Sequence, residues 1–274
     1  MNRETGGDDK GEEIRLIRLS DLRDEALIRK AVYDDLSHRY YLTEDWSPEM
    51  YEALAWAGFI ATAITDDEGR HYLLPEMQHS YALLDWTRHR VPKRLRGLIR
   101  RELDRRELTI TLTGEMEPVF KGIVHYHGAG NWLVPCYHTL LRSLAGNREG
   151  RRLRAIAVEL RDAGSLVAGE VGYLTGGIYT SLTGFFDRAR YGNYGKIQLI
   201  ALAALLERSG YAFWNMGHPY MPYKFDLGAV EHPRQAFLAR WREALQMDVP
   251  FEMAESPVSC RALLAGRIGN CAAS

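Results

Sequence analysis

The chain has 274 residues, of which 46% are hydrophobic and 26% are charged, and its formal net charge is -1. This size and composition indicate one large globular domain or two moderate ones and exclude a largely disordered protein. The sequence has no apolar run near the roughly 20 residues that a bilayer span requires, and its first residues have no signal-peptide core. We therefore expect a cytoplasmic protein with no membrane partner.

Cysteine usage argues against disulfides and zinc. The three cysteines are odd in number and far apart, at Cys136, Cys260 and Cys271, so we expect reduced thiols. His125 and His127 would lie on one face of a strand, but no cluster of cysteines or carboxylates completes a metal shell. The sequence therefore predicts surface histidines and no metal site.

The charge is distributed very unevenly along the chain. The segment from Arg88 to Arg106 contains nine lysines and arginines and only two acids, a local charge of +7. After Pro92, the apolar residues of this segment follow helical spacing, which predicts a helix with its arginines facing solvent. A polyanionic partner is the more specific interpretation, and a solvated helix face is the alternative.

The first part of the chain is predicted to form a small α/β domain over residues 14–106, after a flexible polar tail over residues 1–13. Ser47 and Pro48 are residue types favoured at a helix N-cap and first turn. The other predicted elements are a strand over 14–19, a helix over 20–39 capped by Ser20, a helix over 47–57 and a hairpin over 59–74.

A second domain is predicted over residues 107–250, followed by a C-terminal extension over 251–274. Strand-forming runs separated by turn residues predict an antiparallel meander, and an almost wholly apolar stretch after it predicts a helix buried against that sheet. The predicted elements are strands over 108–112, 154–160, 166–174, 178–186 and 211–216, and helices over 117–124, from 135, over 197–206 and over 234–245. The predicted class is α+β with a mixed, largely antiparallel sheet.

A glycine-rich loop over residues 188–196 joins the meander to the buried helix. Free backbone N–H groups at a helix start favour an anion or a carbonyl oxygen, although a plain connection fits an isolated loop equally well. The order of meander, loop, helix and strand is that of an acetyl-CoA-dependent N-acetyltransferase (GNAT-type) fold. The candidate residues for an oxyanion or a nucleic-acid 3′ end are Gly192, Asn193, Gly195 and Lys196.

Five segments of the chain carry a resemblance to one known family. They are Asn131-Trp132-Leu-Val-Pro135, Leu166-Val-Ala-Gly169, Asn193-Tyr-Gly-Lys196, Leu227-Gly-Ala229 and Pro233-Arg234-Gln-Ala-Phe237-Leu238. In order and spacing they resemble the leucyl/phenylalanyl-tRNA–protein transferases, which move an aminoacyl group from tRNA to a protein N-terminus. The resemblance covers roughly residues 45–241.

The resemblance implies a small N-terminal domain beside an acetyltransferase-like domain, with aminoacyl-tRNA as co-substrate and no other cofactor. It implies a Leu-like or Phe-like aminoacyl pocket, for which we predict Trp132, Tyr179, Leu182 and Phe185, each of which also suits an ordinary core. It places the tRNA acceptor arm at the basic helix. The predicted tRNA-binding residues are Arg88, Arg90, Lys93, Arg94, Arg96, Arg100 and Arg101.

The chain departs from the family at the acceptor side. The family's Ile-Asp-Cys-Gln segment is replaced by Trp214-Asn215-Met216-Gly217, and the glutamate of its Gly-Glu-Ser-Met-Phe strand is replaced by Leu182 or Phe185. A site for a cationic protein N-terminus would favour those acids. The departures therefore predict a different amine acceptor, such as a small molecule of a specialised biosynthetic pathway.

Two residues are candidates for orienting that amine or accepting its proton. Asn215 would orient the amine through its side-chain oxygen. Equally well, its side-chain amide would only form hydrogen bonds with the nearby backbone. His218 would accept a proton, although a loop histidine is more often merely exposed. Two other functions stay open, an acyl-CoA-dependent N-acyltransferase and a non-catalytic tRNA-binding protein.

Overall fold

The computed structural model describes residues 14–146, 150–189, 192–249 and 256–268. Its strands are β1 (Arg15–Leu16), β2 (Tyr41–Leu42), β3 (Ile60–Thr65), β4 (His71–Glu76), β5 (Ser80–Leu84), β6 (Leu108–Thr113), β7 (Leu153–Asp162), β8 (Ser165–Thr175), β9 (Ile178–Phe186), β10 (Phe213–Asn215), β11 (Val230–Pro233) and β12 (Val258–Ser259). The predicted tail over 1–13 and Cys271 lie outside the described residues.

The α-helices follow the local signals of the sequence closely. They are α1 (Leu19–Arg23), α2 (Glu25–Ile28), α3 (Pro48–Trp56), α4 (Lys93–Arg105), α5 (Glu117–His127), α6 (Pro135–Ala145), α7 (Tyr194–Arg208), α8 (Pro222–Leu227), α9 (Arg234–Ala244) and α10 (Cys260–Ile268). The Ser47 hydroxyl accepts a hydrogen bond from the Met50 N–H at 3.2 Å, which confirms the predicted cap of α3.

An eight-stranded sheet in the order β11-β5-β10-β9-β8-β7-β6-β12 organises the molecule. β10 runs parallel to β9, and the other neighbours in this sheet are antiparallel. The meander of β7, β8 and β9, followed by α7 and the parallel strand β10, has the predicted order. The α+β class and the acetyltransferase-like domain are thus confirmed.

Helices cover both faces of this sheet. Successive side chains of a strand point to opposite faces, so Ala157 packs into one core cluster and Val158 into the other. The first cluster contains apolar residues of α3, α5, α6 and α9. The second contains those of α4, α7 and α10, and α7 is buried almost all round because α10 also packs against it.

Two predicted elements are wrong in detail. The predicted helix over 20–39 begins at Leu19, is interrupted at Asp24 and ends in a π-helical turn at Tyr33. Ser20 does not cap it, because the Asp21 carboxylate accepts the Arg18 N–H at 2.8 Å. His125 and His127 lie in the last turn of α5 and not on a strand.

The sheet includes residues from both sides of the predicted boundary at residue 106. β5 lies within it, paired with β10 and β11, and the predicted C-terminal extension supplies β12 at its edge. The domain boundaries therefore stay a prediction. Within the described residues, no helix is long and apolar enough to cross a membrane.

Candidate active site at the fork between two strands

Strands β9 and β10 separate at one point, which we call the strand fork. Their parallel pairing covers Ile178 to Thr180 on β9 and ends at Asn215 on β10. β9 continues to Phe186, and its pairing with β8 is shifted by a bulge at Leu182. Beyond the fork, the side of β9 that faces away from β8 has no strand partner in the described sheet, which leaves room for a ligand. The Gly184 carbonyl of this part of β9 already lies 3.0 Å from His127 Nε2.

A buried carboxylate lies beside the fork, on the face covered by α7. Glu170 of β8 is only 5% exposed. Its Oε1 accepts hydrogen bonds from the Tyr179 hydroxyl at 2.5 Å and the Ser181 hydroxyl at 2.8 Å, and its Oε2 accepts one from Gln198 Nε2 at 3.1 Å. The Trp214 Nε1–H donates to Ser181 Oγ at 2.8 Å. These five side chains form what we call the Glu170 cluster.

The environment of Glu170 disfavours its charged form. Burial raises the pKa of this carboxyl to about 7, and the hydrogen bonds from Tyr179 and Ser181 oppose that rise. The ion pairs found among the described residues do not include Glu170. Sequence reasoning missed this residue, although a single acid within the apolar run 166–174 is the signal that would have found it.

Asn215 lies on the opposite face of the sheet from Ser181 and is fully buried. Its Oδ1 accepts the N–H of Gly217 at 3.0 Å, and its Nδ2 lies 3.4 Å from Thr180 Oγ1. Gly217 has a φ of +75°, a conformation that glycine adopts without strain. The asparagine therefore holds the turn after β10, and its predicted contact with an amine stays a prediction.

His218 follows this turn with its imidazole half-buried. Its Nδ1 is buried without a hydrogen-bond partner among the described residues, and its ring stacks on Tyr220 at 5.0 Å. Burial, together with the nearby Lys224 ammonium, lowers the pKa of the imidazole. His218 is thus neutral near pH 7 and is able to accept a proton.

Lys224 of α8 is a buried cation that fixes the same turn. Its ammonium donates to the carbonyls of Met216 and His218, the latter at 2.6 Å. Burial lowers the pKa of Lys224 to about 8. Sequence reasoning did not single out this residue, because a lysine in a short helix has no pattern that distinguishes it from a surface lysine.

The predicted aminoacyl pocket is divided between the two faces of the sheet. Trp132, Leu182 and Phe185 are half-buried against the first core cluster. The Phe185 ring lies in a notch formed by Gly122 and Gly169, where a Cβ would approach it to 2.2 and 2.9 Å. Tyr179 is fully buried on the other face, where its hydroxyl donates to Glu170. It therefore does not line the same pocket as the other three residues.

The glycine-rich loop leads directly into α7. Asn193 has a φ of +76° and its side chain makes no capping bond, while its carbonyl accepts the N–H of Lys196 at 3.0 Å. Gly195 contacts the Phe186 ring, and a Cβ at 195 would lie 2.9 Å from that ring. Gly192 and Lys196 are exposed at this helix start, and residues 190–191 lie outside the described residues.

The basic residues of α4 and its approach fall into two groups. Arg90 and Arg94 contact α8 through the Phe225 carbonyl and the Asp226 carboxylate, and Arg96 and Arg100 donate to backbone carbonyls. A second group is exposed without an ion pair among the described residues. That group consists of Arg88, Lys93, Arg101 and Arg105. The last three lie eight and four residues apart, on one side of α4, and form what we call the basic stripe.

A hydrogen bond joins the basic helix to the start of α7. The Tyr194 hydroxyl donates to Glu102 Oε2 at 2.6 Å, and the Arg106 guanidinium lies 5.8 Å from the centre of the Tyr194 ring. Tyr194 directly follows Asn193 of the glycine-rich loop. The structure thus brings together two residues that are 92 positions apart in the sequence.

A model of the leucyl/phenylalanyl-tRNA protein transferase family matches residues 83–242, which is more than half of the chain. The chain belongs to this family. The match includes the basic helix, the Glu170 cluster and the glycine-rich loop. A leucyl/phenylalanyl-tRNA–protein transferase from Dinoroseobacter shibae is 34% identical over 94 residues, which are 33% of this chain and 39% of that relative's length.

Two solved structures are similar to the chain at low identity. The C-terminal domain of a candidate lysylphosphatidylglycerol synthetase from Agrobacterium fabrum is 16% identical, with 77% of this chain and 72% of that chain covered and a TM-score of 0.43. A GCN5-related N-acetyltransferase from Kribbella flavida is 12% identical, with 80% and 74% covered and a TM-score of 0.29.

Proposed function

We propose that this protein is an aminoacyltransferase that moves an aminoacyl group from aminoacyl-tRNA to an amine, forming an amide bond. The family match supports the reaction class. The observation that carries the proposal is the hydrogen bond from Tyr194 to Glu102, because it joins a basic helix to a loop beside the strand fork. A tRNA acceptor arm consists of a phosphate backbone, which fits the basic helix, and a reactive 3′ end, which fits the loop.

On the donor side, the basic stripe binds phosphates and the loop over 192–196 receives the 3′ end. Lysine and arginine side chains that release counterions supply most of the sequence-independent affinity for nucleic acid. The N-terminal N–H groups of α7, together with the open edge of β9, polarise the ester carbonyl. An ester held next to an amine in this way gains about 7 to 11 kcal/mol from proximity alone.

The aminoacyl side chain lies in the proposed pocket of Trp132, Leu182 and Phe185. All three pack on the first core cluster, and their apolar surface fits a Leu-like or Phe-like group. The Trp132 ring meets Tyr137 edge to face, with the centroids 5.2 Å apart, which restricts its orientation. A pocket of rigid aromatic walls favours large apolar side chains over polar ones.

We propose a small-molecule amine of a biosynthetic pathway as the acceptor in preference to a protein N-terminus. Leu182 and Phe185 carry no charge, and Asn215 is committed to the Gly217 turn. A cationic N-terminal residue would lose charge-assisted hydrogen bonds there, each of about 1.5 to 3 kcal/mol. A neutral amine without a second charge does not incur this loss.

The two other functions make different predictions. An acyl-CoA-dependent N-acyltransferase would use the start of α7 for pyrophosphate, but it leaves the basic stripe without a ligand. A non-catalytic tRNA-binding protein would use the basic stripe, but it leaves a buried carboxylate at the fork without a role. The aminoacyltransferase uses both features, which is why we prefer it.

The test is an incubation of the full chain with a panel of isotope-labelled aminoacyl-tRNAs and candidate amines, followed by mass spectrometry of the products. We expect amide products with leucyl- or phenylalanyl-tRNA and no acetyl transfer from acetyl-CoA. Saturable acetyl transfer without any response to charged tRNA would support the acyltransferase instead. Tight tRNA binding without any product would support the non-catalytic protein.

A further inference from the structure

We propose that Ser181 and Glu170 form a proton relay that takes the proton from the acceptor's amine as it attacks the aminoacyl ester. The inference rests on the proposed function and adds the residues that handle the proton. It assigns a role to two side chains that the sequence comparison with the family did not single out.

Ser181 is the first residue of β9 beyond the strand fork. The pairing of β9 with β10 ends at Thr180 and Asn215, so Ser181 lies where the open edge of β9 begins. Its side chain is half-buried, whereas Glu170 behind it is almost completely buried. A ligand that binds to the open edge reaches the serine hydroxyl before it reaches the carboxylate.

The hydroxyl of Ser181 is arranged to pass a proton inward. Its own proton points to Glu170 Oε1 at 2.8 Å, and the Trp214 Nε1–H fixes one of its two lone pairs. A hydroxyl has one donor and two acceptor sites. The remaining lone pair is therefore the one site left for an N–H of an attacking amine.

Glu170 has the features of a proton acceptor and not those of a structural residue. Its neighbours Val167, Ala168 and Val171 on β8 are fully buried and apolar, and no cation neutralises it in the described ion pairs. A buried carboxylate without a cation costs several kcal/mol that an apolar residue would not. Tyr179 and Gln198 orient the carboxylate, as the partners of a general base do.

The titratable groups that face Glu170 remain neutral where it titrates. They are Tyr179 of β9 and Tyr223 of α8, and α7 contributes the uncharged Gln198. Burial raises the pKa of Tyr179 well above its ordinary value and that of Tyr223 to about 12. A change of rate near pH 7 would therefore report the carboxyl of Glu170, whose pKa is about 7.

The amine nitrogen attacks the ester carbonyl carbon, a C–N bond forms, and the nitrogen becomes positively charged. Its proton moves to Ser181 Oγ while the serine proton moves to Glu170. The bond from the carbonyl carbon to the ribose oxygen then breaks. The ribose oxygen takes up the proton held by Glu170, either through the same serine or through solvent, and Glu170 returns to its carboxylate form.

The experiment measures single-turnover transfer from leucyl- and phenylalanyl-tRNA to methoxyamine between pH 5.5 and 8. Methoxyamine is chosen because its own nitrogen stays unprotonated over this range. The uncatalysed reaction is subtracted at each pH. The variants are Glu170→Gln, Ser181→Ala, Ser181→Thr and the double variant Glu170→Gln/Ser181→Ala. The matched control is Glu159→Gln, since Glu159 is a buried carboxylate of the same sheet that is paired with Arg161.

We expect the rate of the unaltered protein to rise with pH and level off above about pH 7. Glu170→Gln and Ser181→Ala should each lower the rate about 100-fold or more and remove this rise. Ser181→Thr, which keeps a hydroxyl, should recover most of the rate. The double variant should be no slower than the slower single variant, because the two side chains act as one unit. Glu159→Gln should keep the rate and its pH dependence.

Four results would overturn the relay. An unaltered pH profile in Glu170→Gln would show that this carboxyl does not take the proton. A covalent aminoacyl group on Ser181, detected by mass spectrometry, would make the serine a nucleophile instead. No transfer by the unaltered protein with any charged tRNA would overturn the proposed function and the relay together, whereas transfer that survives both substitutions would overturn the relay alone.

Discussion

The aromatic ring of Phe185 occupies the space in which a side chain of residue 122 would lie. A Cβ at Gly122 would be 2.2 Å from the ring. We expect Gly122→Ala to lower the free energy of unfolding by about 1 to 3 kcal/mol, because overpacking forces the ring or helix α5 to move. Chemical denaturation measures this change, and the preference for leucyl- over alanyl-tRNA should weaken because Phe185 lines the proposed pocket.

Gly97 of α4 supplies the matched control for this substitution. It also lies inside a helix, but apart from the nearby backbone of that helix no atom of the described residues lies within 4 Å of its Cβ position. Gly97→Ala should stabilise the protein by up to about 1 kcal/mol through helix propensity. Equal effects at the two glycines would show that the Phe185 ring does not limit position 122.

Arg234 should be a key residue for stability. It is 1% exposed, and its guanidinium donates to five backbone carbonyls, those of Val32, Asp35, His38, Met77 and Gln78. Arg234→Met leaves these buried acceptors without a donor, at about 1 to 3 kcal/mol each. We expect a loss of at least about 3 kcal/mol in thermal or chemical unfolding, with a smaller loss for Arg234→Lys.

Arg242 is a control for Arg234 on the same helix. It is exposed and lies over the Tyr33 ring at 5.0 Å. Arg242→Met should change the free energy of unfolding by less than about 1 kcal/mol, as is usual for surface cation–π contacts. A loss as large as that of Arg234→Met would mean that burial of the guanidinium does not decide the effect.

The basic stripe should control the salt dependence of tRNA binding. We expect the triple variant of Lys93, Arg101 and Arg105 to glutamine to bind tRNA more weakly and to reduce the slope of log affinity against log salt by about two to three. Fluorescence titration at several salt concentrations measures both quantities. An unchanged slope would place the tRNA elsewhere.

The arginines of the same segment that bond to other parts of the protein provide the comparison. Arg90→Gln and Arg94→Gln remove contacts to α8, so they should lower stability more than they change the salt slope. Arg96 and Arg100 already donate to carbonyls of the protein. The sequence could not separate these two groups, because both consist of basic residues within one short segment.

A single substitution tests the selection of the acceptor. Asn215→Asp restores the family's carboxylate, and its oxygen still accepts the Gly217 N–H. We expect transfer to a peptide that begins with arginine to rise about 10-fold or more, as one charge-assisted hydrogen bond returns. Gly217→Gln is unsuitable as a partner, since φ is +75° there and a Cβ would lie 3.3 Å from Ile60. No gain, with tRNA affinity unchanged, would remove the main support for a changed acceptor.

Stability against pH provides an independent measurement of Glu170. Its folded pKa is raised to about 7 from an unfolded value near 4.3, so the folded state binds the extra proton between these values. The free energy of unfolding should therefore fall as pH rises from about 4.5 to 7, by up to about 3 kcal/mol. Glu170→Gln should remove this part of the pH dependence, and an identical profile in the variant would mean that the carboxyl titrates normally.

Local signals of the sequence determined the helices and the meander. The caps and prolines before α3, α4 and α6, the periodic apolar residues of α4 and the turn residues between β7, β8 and β9 depend on neighbours a few residues away. The same holds for the charge of the basic segment. Helix starts and turns of this kind need only local chemistry, so the sequence predicted these elements at close to their true bounds. It did not predict α8 and α10, and it missed the break between α1 and α2.

Tertiary structure alone decided how distant strands pair and which side chains meet. β5 joins β10 and β11, which follow it by more than 120 residues, and neither pairing has a local signal. Glu170, Ser181 and Trp214 come from three strands, and their contact depends on strand register. The tertiary structure also decided which basic residues of α4 contact other elements and which have no ion pair among the described residues, because only packing fixes the rotation of a helix about its axis.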